Sequence, residues 1–290
     1  MKKEEKKKDI YDAEIYARMI ADTAMRALLR EAAATPKPGL VDQSNTGAHK
    51  DMGIGTFLDS ADALEPYFLQ FAAFGIEHRE DDPSGFLARI RPIGIEAEKA
   101  MYKVTHGINT HKGAIFSLGI LCTACGYCGQ PFDKDKVKEI SALTAGPVMK
   151  DFENINKDNA VTTGEKLYAQ YGIAGARGEA AAGFPTVFDT AVPVMKSLRE
   201  KGYSLNDAGV ITLVHILGDL IDTNVIHRSS YERAERIKEE MKELSVHLEE
   251  KDYISILQDL DRRFIEENIS PGGSADLLAL AYFICFMEEN

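Results

Sequence analysis

A single period constrains the fold most. From about residue 10 onward, apolar residues recur three and four apart in one segment after another, and alternation of period two is never sustained. Tyr16, Ile20, Ala24, Ala27 and Leu28 form one such row, followed by Phe57, Ala61, Leu64, Phe68 and Phe71, then Ile93, Ala97, Met101 and Val104. The rows resume with Ile211, Val214 and Leu217, with Ala234, Ile237, Met241, Leu244 and Leu248, and with Ile254, Leu257, Leu260 and Phe264. Such a chain is expected to be all-α, a single bundle-like domain of roughly ten helices by this period.

The punctuation fits. Pro36 and Pro38 stop a first helix of about 10–34, Thr56 stands where it can cap the second, and Gly75 to Gly85 reads as a polar connection. Lys134 to Met149 gives another helix. The linker Asp151 to Asn159 is the one plausible internal boundary, and a weak one. Ser270 to Asp276 turns the chain into a last apolar helix, with Asp276 and Asn206 read as caps. The expected organisation is a charged flexible tail over 1–9 and one all-α catalytic domain over 10–290.

Composition excludes several classes. A net charge of −12 on 290 residues argues against a nucleic-acid or anionic-membrane binder, so any phosphate must be held by locally focused cations. The Lys/Glu-rich N-terminus has no apolar core and no cleavage site, unlike a secretory signal. The longest apolar run, Gly113 to Gly129, is interrupted by polar residues and falls short of the roughly 20 residues a membrane span needs. A cytoplasmic protein is expected, with apolar helices able to supply a homo-oligomer interface.

Cys122, Cys125 and Cys128 resemble part of an iron-sulfur ligand set. The run lies in an apolar helical pattern, and the remaining Cys285 is near the other end of the chain, so buried core thiols are the plainer reading. His215 reads as a core histidine, and His78 and His247 as surface residues.

The chemistry lies at the helix junctions. Thr35 to Met52 has no hydrophobic period but holds Lys37, Asp42, Asn45, His49 and Asp51. Later junctions supply Asn109, His111 and Lys112, then Glu165, Arg177 and Glu179 around a glycine-dense run, and finally Asp222, Asn224 and Arg228. That run matches neither a P-loop nor a dinucleotide fingerprint. Loops at one end of a helical bundle can converge on one cleft. There the cations suit phosphate oxygens, and the carboxylates suit Mg²⁺ or acid–base work. For Asp42 and Asp51, capping and site roles are both open, and Arg177 with Glu179 also suits a structural pair.

Six of these knots, in series, resemble the triphosphoribosyl-dephospho-coenzyme A synthases. They are Pro36-Lys37-Pro38-Gly39-Leu40-Val41-Asp42, Asn45 to Met52, Gly107 to Gly113, Gly175 to Ala180, Asp222-Thr223-Asn224 and Ser270 to Asp276. The chain departs from the family pattern at Gln43, where Arg is usual, and after Arg228, where the family has glycine and this chain has Ser229 and Ser230.

The resemblance implies ATP and 3'-dephospho-coenzyme A as substrates. The triphosphoribosyl group passes to the 2'-hydroxyl, adenine leaves, and the product goes on to modify an acyl carrier subunit of citrate lyase or malonate decarboxylase. It further implies Glu179 and Asp42 as carboxylates at the reacting sugar, and Asn109 or His49 at the departing adenine. Lys37, His111, Lys112, Arg177 and Arg228 would meet phosphate with Asn224 beside them, and Asp51, Glu165 and Asp222 would hold Mg²⁺. A helical nucleotide-glycoside hydrolase and a non-catalytic iron-sulfur or carrier-binding protein are the alternatives.

Overall fold

The computed structural model describes residues 2–250 and 252–290, with side chains described from Tyr11 onward except at 250. Among the described residues there are thirteen α-helices and no strand. In chain order these are α1 (Lys2–Ala33), α2 (Ile54–Glu77), α3 (Phe86–Val104), α4 (Lys112–Cys128) and α5 (Lys134–Ala145). Then come α6 (Thr163–Tyr171), α7 (Gly175–Ala181), α8 (Val192–Glu200), α9 (Leu205–Asp219) and α10 (Thr223–Arg228). The last three are α11 (Tyr231–His247), α12 (Tyr253–Glu266) and α13 (Gly272–Glu289). The backbone of α1 thus includes most of the expected tail, of which Met1 and the side chains lie outside the described residues.

Three helices are apolar on all sides and therefore lie inside. In α4 every residue from Leu118 to Gly126 is buried, α13 is buried from Leu277 to Met287, and α9 buries Ala208 to Val214. The amphipathic α1, α2, α3, α11 and α12 wrap around them, and one hydrophobic cluster runs through the whole molecule. Helices α2 and α4 touch backbone to backbone. A Cβ on Gly75 would lie 2.1 Å from Thr123 O, and one on Gly126 would lie 2.2 Å from Ala72 O. No described helix is long and apolar enough to cross a membrane.

Cys122 and Cys125 are fully buried free thiols of α4, and desolvation pushes their pKa up. Cys128 is raised to about 11 and Cys285 to about 12 for the same reason. Such thiols stay protonated and behave as small hydrophobes.

Three expected caps are revised. Gly53 is the N-cap of α2, and Thr56 sits in the first turn, where its hydroxyl accepts from Gly53 N–H at 3.3 Å. Ser204, not Asn206, caps α9. Asn206 instead grips Thr35, accepting from its N–H at 2.9 Å and donating to its carbonyl at 2.8 Å. Asp276 lies inside α13, whose N-cap is Pro271. The departure at Ser230 has a local reason, since its hydroxyl caps α11 by accepting from Arg233 N–H at 3.1 Å.

Candidate active site

The first turns of α4, α7, α10 and α13 converge with the α1–α2 loop on one cleft of about 650 Å³. Lys112 and Gly113, Gly175 and Ala176, Thr223 and Asn224, and Gly272 and Gly273 open these four helices and line it. Helix N-termini carry partial positive charge and outward-pointing N–H groups, so the two long helices α4 and α13 bias the cleft toward anions despite the acidic whole.

The α1–α2 loop is knitted from within. Residues 37–42 are all buried. Asp42 accepts from Thr35 Oγ1 at 2.8 Å, Lys37 N–H at 3.0 Å, Ser44 N–H at 2.6 Å and Asn45 N–H at 3.0 Å. From α12, Asp261 accepts from Gly39 N–H and from Asn45 Nδ2, both at 2.8 Å. Gly39 has φ +70°, and a Cβ there would lie 2.2 Å from Ile269 O, so only glycine fits. Beneath the loop, buried Lys37 donates to Glu31 O at 2.6 Å and to Glu31 Oε1 at 2.5 Å. Burial raises the Glu31 pKa, and Lys37 draws it part of the way back.

On the opposite wall Glu179 is half-buried. Its carboxylate accepts from Thr186 Oγ1 at 3.1 Å and Thr186 N–H at 3.3 Å. Desolvation raises its pKa, against those two bonds, and the nearby carboxylates of Asp219 and Asp189 add to the rise. At the third side Arg228 donates to Ala48 O at 3.3 Å and Asn268 Oδ1 at 3.1 Å, with its other Nη 3.2 Å from both His49 ring nitrogens. His49 Nε2 also meets Ser270 Oγ at 2.9 Å. Burial and the Arg228 charge lower the His49 pKa, so its ring is neutral near pH 7.

Eight expected site residues therefore meet at the cleft. From the first three knots come Lys37, His49, Asn109, His111 and Lys112, and from further along the chain Glu179, Asn224 and Arg228. Lys112 carries an ion pair to Glu98 at 2.9 Å, which raises its pKa, while Asn109 Oδ1 accepts from Lys112 N–H at 3.2 Å.

Five others are not brought to the cleft lining. Asp42 is engaged within the loop, as above. Asp222 is the N-cap of α10, accepting from Asn224 and Val225 N–H and reaching across to Ser274 N–H at 2.7 Å and Ser274 Oγ at 2.8 Å. Glu165 closes a capping box at α6, where it accepts from Val161 and Thr162 N–H, both at 2.8 Å. Arg177 faces Asp151 at 3.6 Å and lies over the Phe152 ring at 5.4 Å. Asp51 is exposed at the rim, 3.6 Å from His49 Nδ1. No group of three or more metal-ligating side chains forms among the described residues.

The sequence reading missed Glu31, Lys238 and Asp276, all of which line the cleft. Glu31 continues the apolar row of α1 one turn beyond Leu28, and Asp276 is the lone acid in the otherwise apolar body of α13. A charge on a buried face was the available signal. Asp276 accepts a backbone hydrogen bond from Ala114 at the start of α4, and a Cβ on Gly113 would lie 2.0 Å from its Oδ2. Desolvation, then the charges of Glu31 and Asp222, hold its carboxyl well above the usual range.

The assembled features define an all-helical protein with a nucleotide-sized cleft combining helix N-termini, cations and a poised carboxylate. Comparison with known proteins agrees. Residues 17–290 match the model of the CitG family, ATP:dephospho-CoA triphosphoribosyl transferase. The chain is 40% identical over 277 residues to a probable 2-(5''-triphosphoribosyl)-3'-dephosphocoenzyme-A synthase of Lactiplantibacillus plantarum, covering 92% of this chain and 96% of that one. A probable synthase of the same name from Streptococcus equi subsp. zooepidemicus is 39% identical over 287 residues, 93% and 97% of the two chains. The 2-(5''-triphosphoribosyl)-3'-dephosphocoenzyme-A synthase of Haemophilus ducreyi is 38% identical over 289 residues, 92% and 88%. No solved structure matches the chain. The chain belongs to the CitG family and is a transferase.

Proposed function

We propose that this cleft moves the triphosphoribosyl group of ATP onto the 2'-hydroxyl of 3'-dephospho-coenzyme A. The hydroxyl oxygen bonds to the anomeric carbon of the ATP ribose as the bond from that carbon to adenine breaks. The bonding pair leaves with the base, and the hydroxyl proton passes through a protein base to adenine, which departs neutral. The observation that carries this reading is the convergence of the α4 and α13 N-termini with Lys112, Arg228, Lys238 and the held carboxylate of Glu179 on one cleft.

The triphosphate brings about four negative charges into a protein of net charge −12, so local cations and helix N-termini must receive it. Glu179 suits the base. It lines the cleft, has defined hydrogen bonds to Thr186, and its raised pKa makes it a better proton acceptor than a free glutamate. Its charge also opposes the positive charge that spreads over the sugar in the transition state. Asp42, the other expected carboxylate, acts through the loop that it holds.

Mg²⁺ is expected with ATP. Of the carboxylates that line the cleft, Asp276 would best hold a cation otherwise bound by phosphate oxygens, since Glu31 is paired with Lys37 and the oxygens of Asp222 and Glu165 cap helices. When bound it supplies charge neutralisation for the triphosphate. The product is suited to a carrier-loading reaction on an acyl carrier subunit, and pairing of like chains is a further proposal. The hydrolase and iron-sulfur alternatives have no specific observation in their favour.

The test is to mix the protein, ATP, Mg²⁺ and dephospho-coenzyme A. Free adenine should appear one for one with a product heavier than dephospho-coenzyme A by the triphosphoribosyl group. Release of ADP or phosphate without adenine would reject the reading, and adenine release independent of dephospho-coenzyme A would make the protein a hydrolase.

A further inference from the structure

His111 is buried, with only 2% of its surface exposed, yet it lines the cleft, and its Nε2 is a buried nitrogen without a hydrogen-bond partner. Buried polar atoms are rarely left in that state, so an orphan on a cleft-lining residue points to a ligand contact. The other ring nitrogen is engaged. Nδ1 lies 2.7 Å from Ser60 Oγ, and Ser60 Oγ accepts from Thr110 Oγ1 at 2.7 Å. A serine hydroxyl has one proton. With Thr110 donating to Ser60, the Ser60 proton is free to go to His111 Nδ1, the arrangement that puts the proton of the neutral ring on Nε2. Desolvation, then the nearby Lys37 charge, lower the His111 pKa to about 3, which keeps the ring neutral. That arrangement gives the cleft a fixed, uncharged side-chain N–H donor.

Its surroundings suit a flat base rather than a phosphate chain. The Phe57 ring stands edge-on to the imidazole, with centroids 5.1 Å apart at 88°, and Leu40, Val41 and Met52 line the same cleft. The nearby Lys37 ammonium is already paired with Glu31 at 2.5 Å. The cations with outer faces in the cleft come from the α4, α10 and α11 walls.

We propose that His111 is the adenine contact of the site, its Nε2–H directed by the Thr110–Ser60 hydroxyl pair at a ring nitrogen of the base that ATP releases. This deepens the transferase reading and rests on it. His111 touches the leaving group and is thus a catalytic residue, because a donor at a purine nitrogen stabilises the electron pair that the base takes with it. Ser60 and Thr110 are positioning residues that select the tautomer.

The test is equilibrium binding of two fragments, free adenine and inorganic tripolyphosphate, to the full-length protein and to His111→Leu, His111→Gln and Ser60→Ala. Adenine affinity should fall on the order of tenfold in His111→Leu, the worth of one buried hydrogen bond, and tripolyphosphate affinity should stay within about twofold. The glutamine amide can place an N–H near the position of Nε2 and should recover most of the loss. Ser60→Ala should weaken adenine binding and allow the ring proton to move to Nδ1, visible in the ¹⁵N imidazole shifts. Loss of tripolyphosphate with adenine unchanged would overturn the proposal, as would equal loss of both, or wild-type protein that binds tripolyphosphate but not adenine. Binding is read without turnover, so failure here is distinct from failure of adenine release by the wild type.

Discussion

Two walls of the cleft are built differently. The α1–α2 wall is a loop without regular structure, yet residues 37–42 are all buried and two carboxylates, Asp42 and Asp261, fix its backbone. The α6–α7 wall is nominally helical, but between Val161 and Gly178 only Leu167 is buried. It is held by stacked ring pairs, Phe152 with Tyr168 and Tyr171 with Tyr231, each at 4.3 Å. Secondary structure is therefore a poor guide to rigidity here. The irregular wall is a preformed template whose charged residues serve its own backbone, and the helical wall is thinly packed up to Gly178, just ahead of Glu179.

The largest effect should separate chemistry from scaffold. Glu179→Gln is expected to lower kcat by roughly 10²- to 10⁴-fold with ATP binding retained and the melting temperature nearly unchanged. In the wild type, kcat/KM should fall as pH drops through a value above the ordinary 4.5, because the raised pKa means that Glu179 takes up its proton, and is lost as a base, earlier than a free glutamate. Glu179→Gln should lack that limb of the profile.

Next in size, Lys37→Met should reduce unfolding free energy by about 3–5 kcal/mol in a urea titration, since it leaves Glu31 charged and buried without its partner. A neutral result would mean that Glu31 is protonated or hydrated, and the loop less rigid than described.

Glycine substitutions compare the walls directly. Gly39→Ala places a Cβ against a backbone carbonyl at positive φ and should cost about 3 kcal/mol. Gly175→Ala, also at positive φ, meets only the Thr223 methyl at 3.1 Å and should cost about 1 kcal/mol. Equal costs would erase the distinction. The smallest effect is expected for Arg177→Ala, under about 1 kcal/mol in stability, because its pair with Asp151 is 3.6 Å long and solvent-screened. Its effect on the KM for ATP should be smaller than that of Lys112→Ala. A large rise would show Arg177 turning into the cleft when ATP binds.

The fold was legible because packing repeats every 3.6 residues, and the rows from Tyr16 to Leu28 and from Ala61 to Phe71 face inward as their spacing demands, while Phe57 at the start of the second lines the cleft. The glycine-dense run was harder. Its short helix α7 depends on tertiary contacts that propensity cannot anticipate, since glycine and alanine carry little periodic signal. In the site, the convergence of the knots was legible, but side-chain direction was not. An Asp ahead of a turn looks the same whether it caps or binds, and Asp42, Asp222 and Glu165 all turned out to hold backbone N–H groups. Asp276 was hidden within an apolar helix, and Glu31 at the end of an amphipathic one where charged residues are ordinary.

The measurement that tests this account most directly is amide hydrogen exchange with and without ATP and Mg²⁺. Amides of residues 37–47 should be protected already in the free protein and change little, whereas those of 161–178 should exchange fast when free and gain the most protection when ATP is bound. Slow exchange in 161–178 without ATP, or the main protection arising away from both walls, would contradict it.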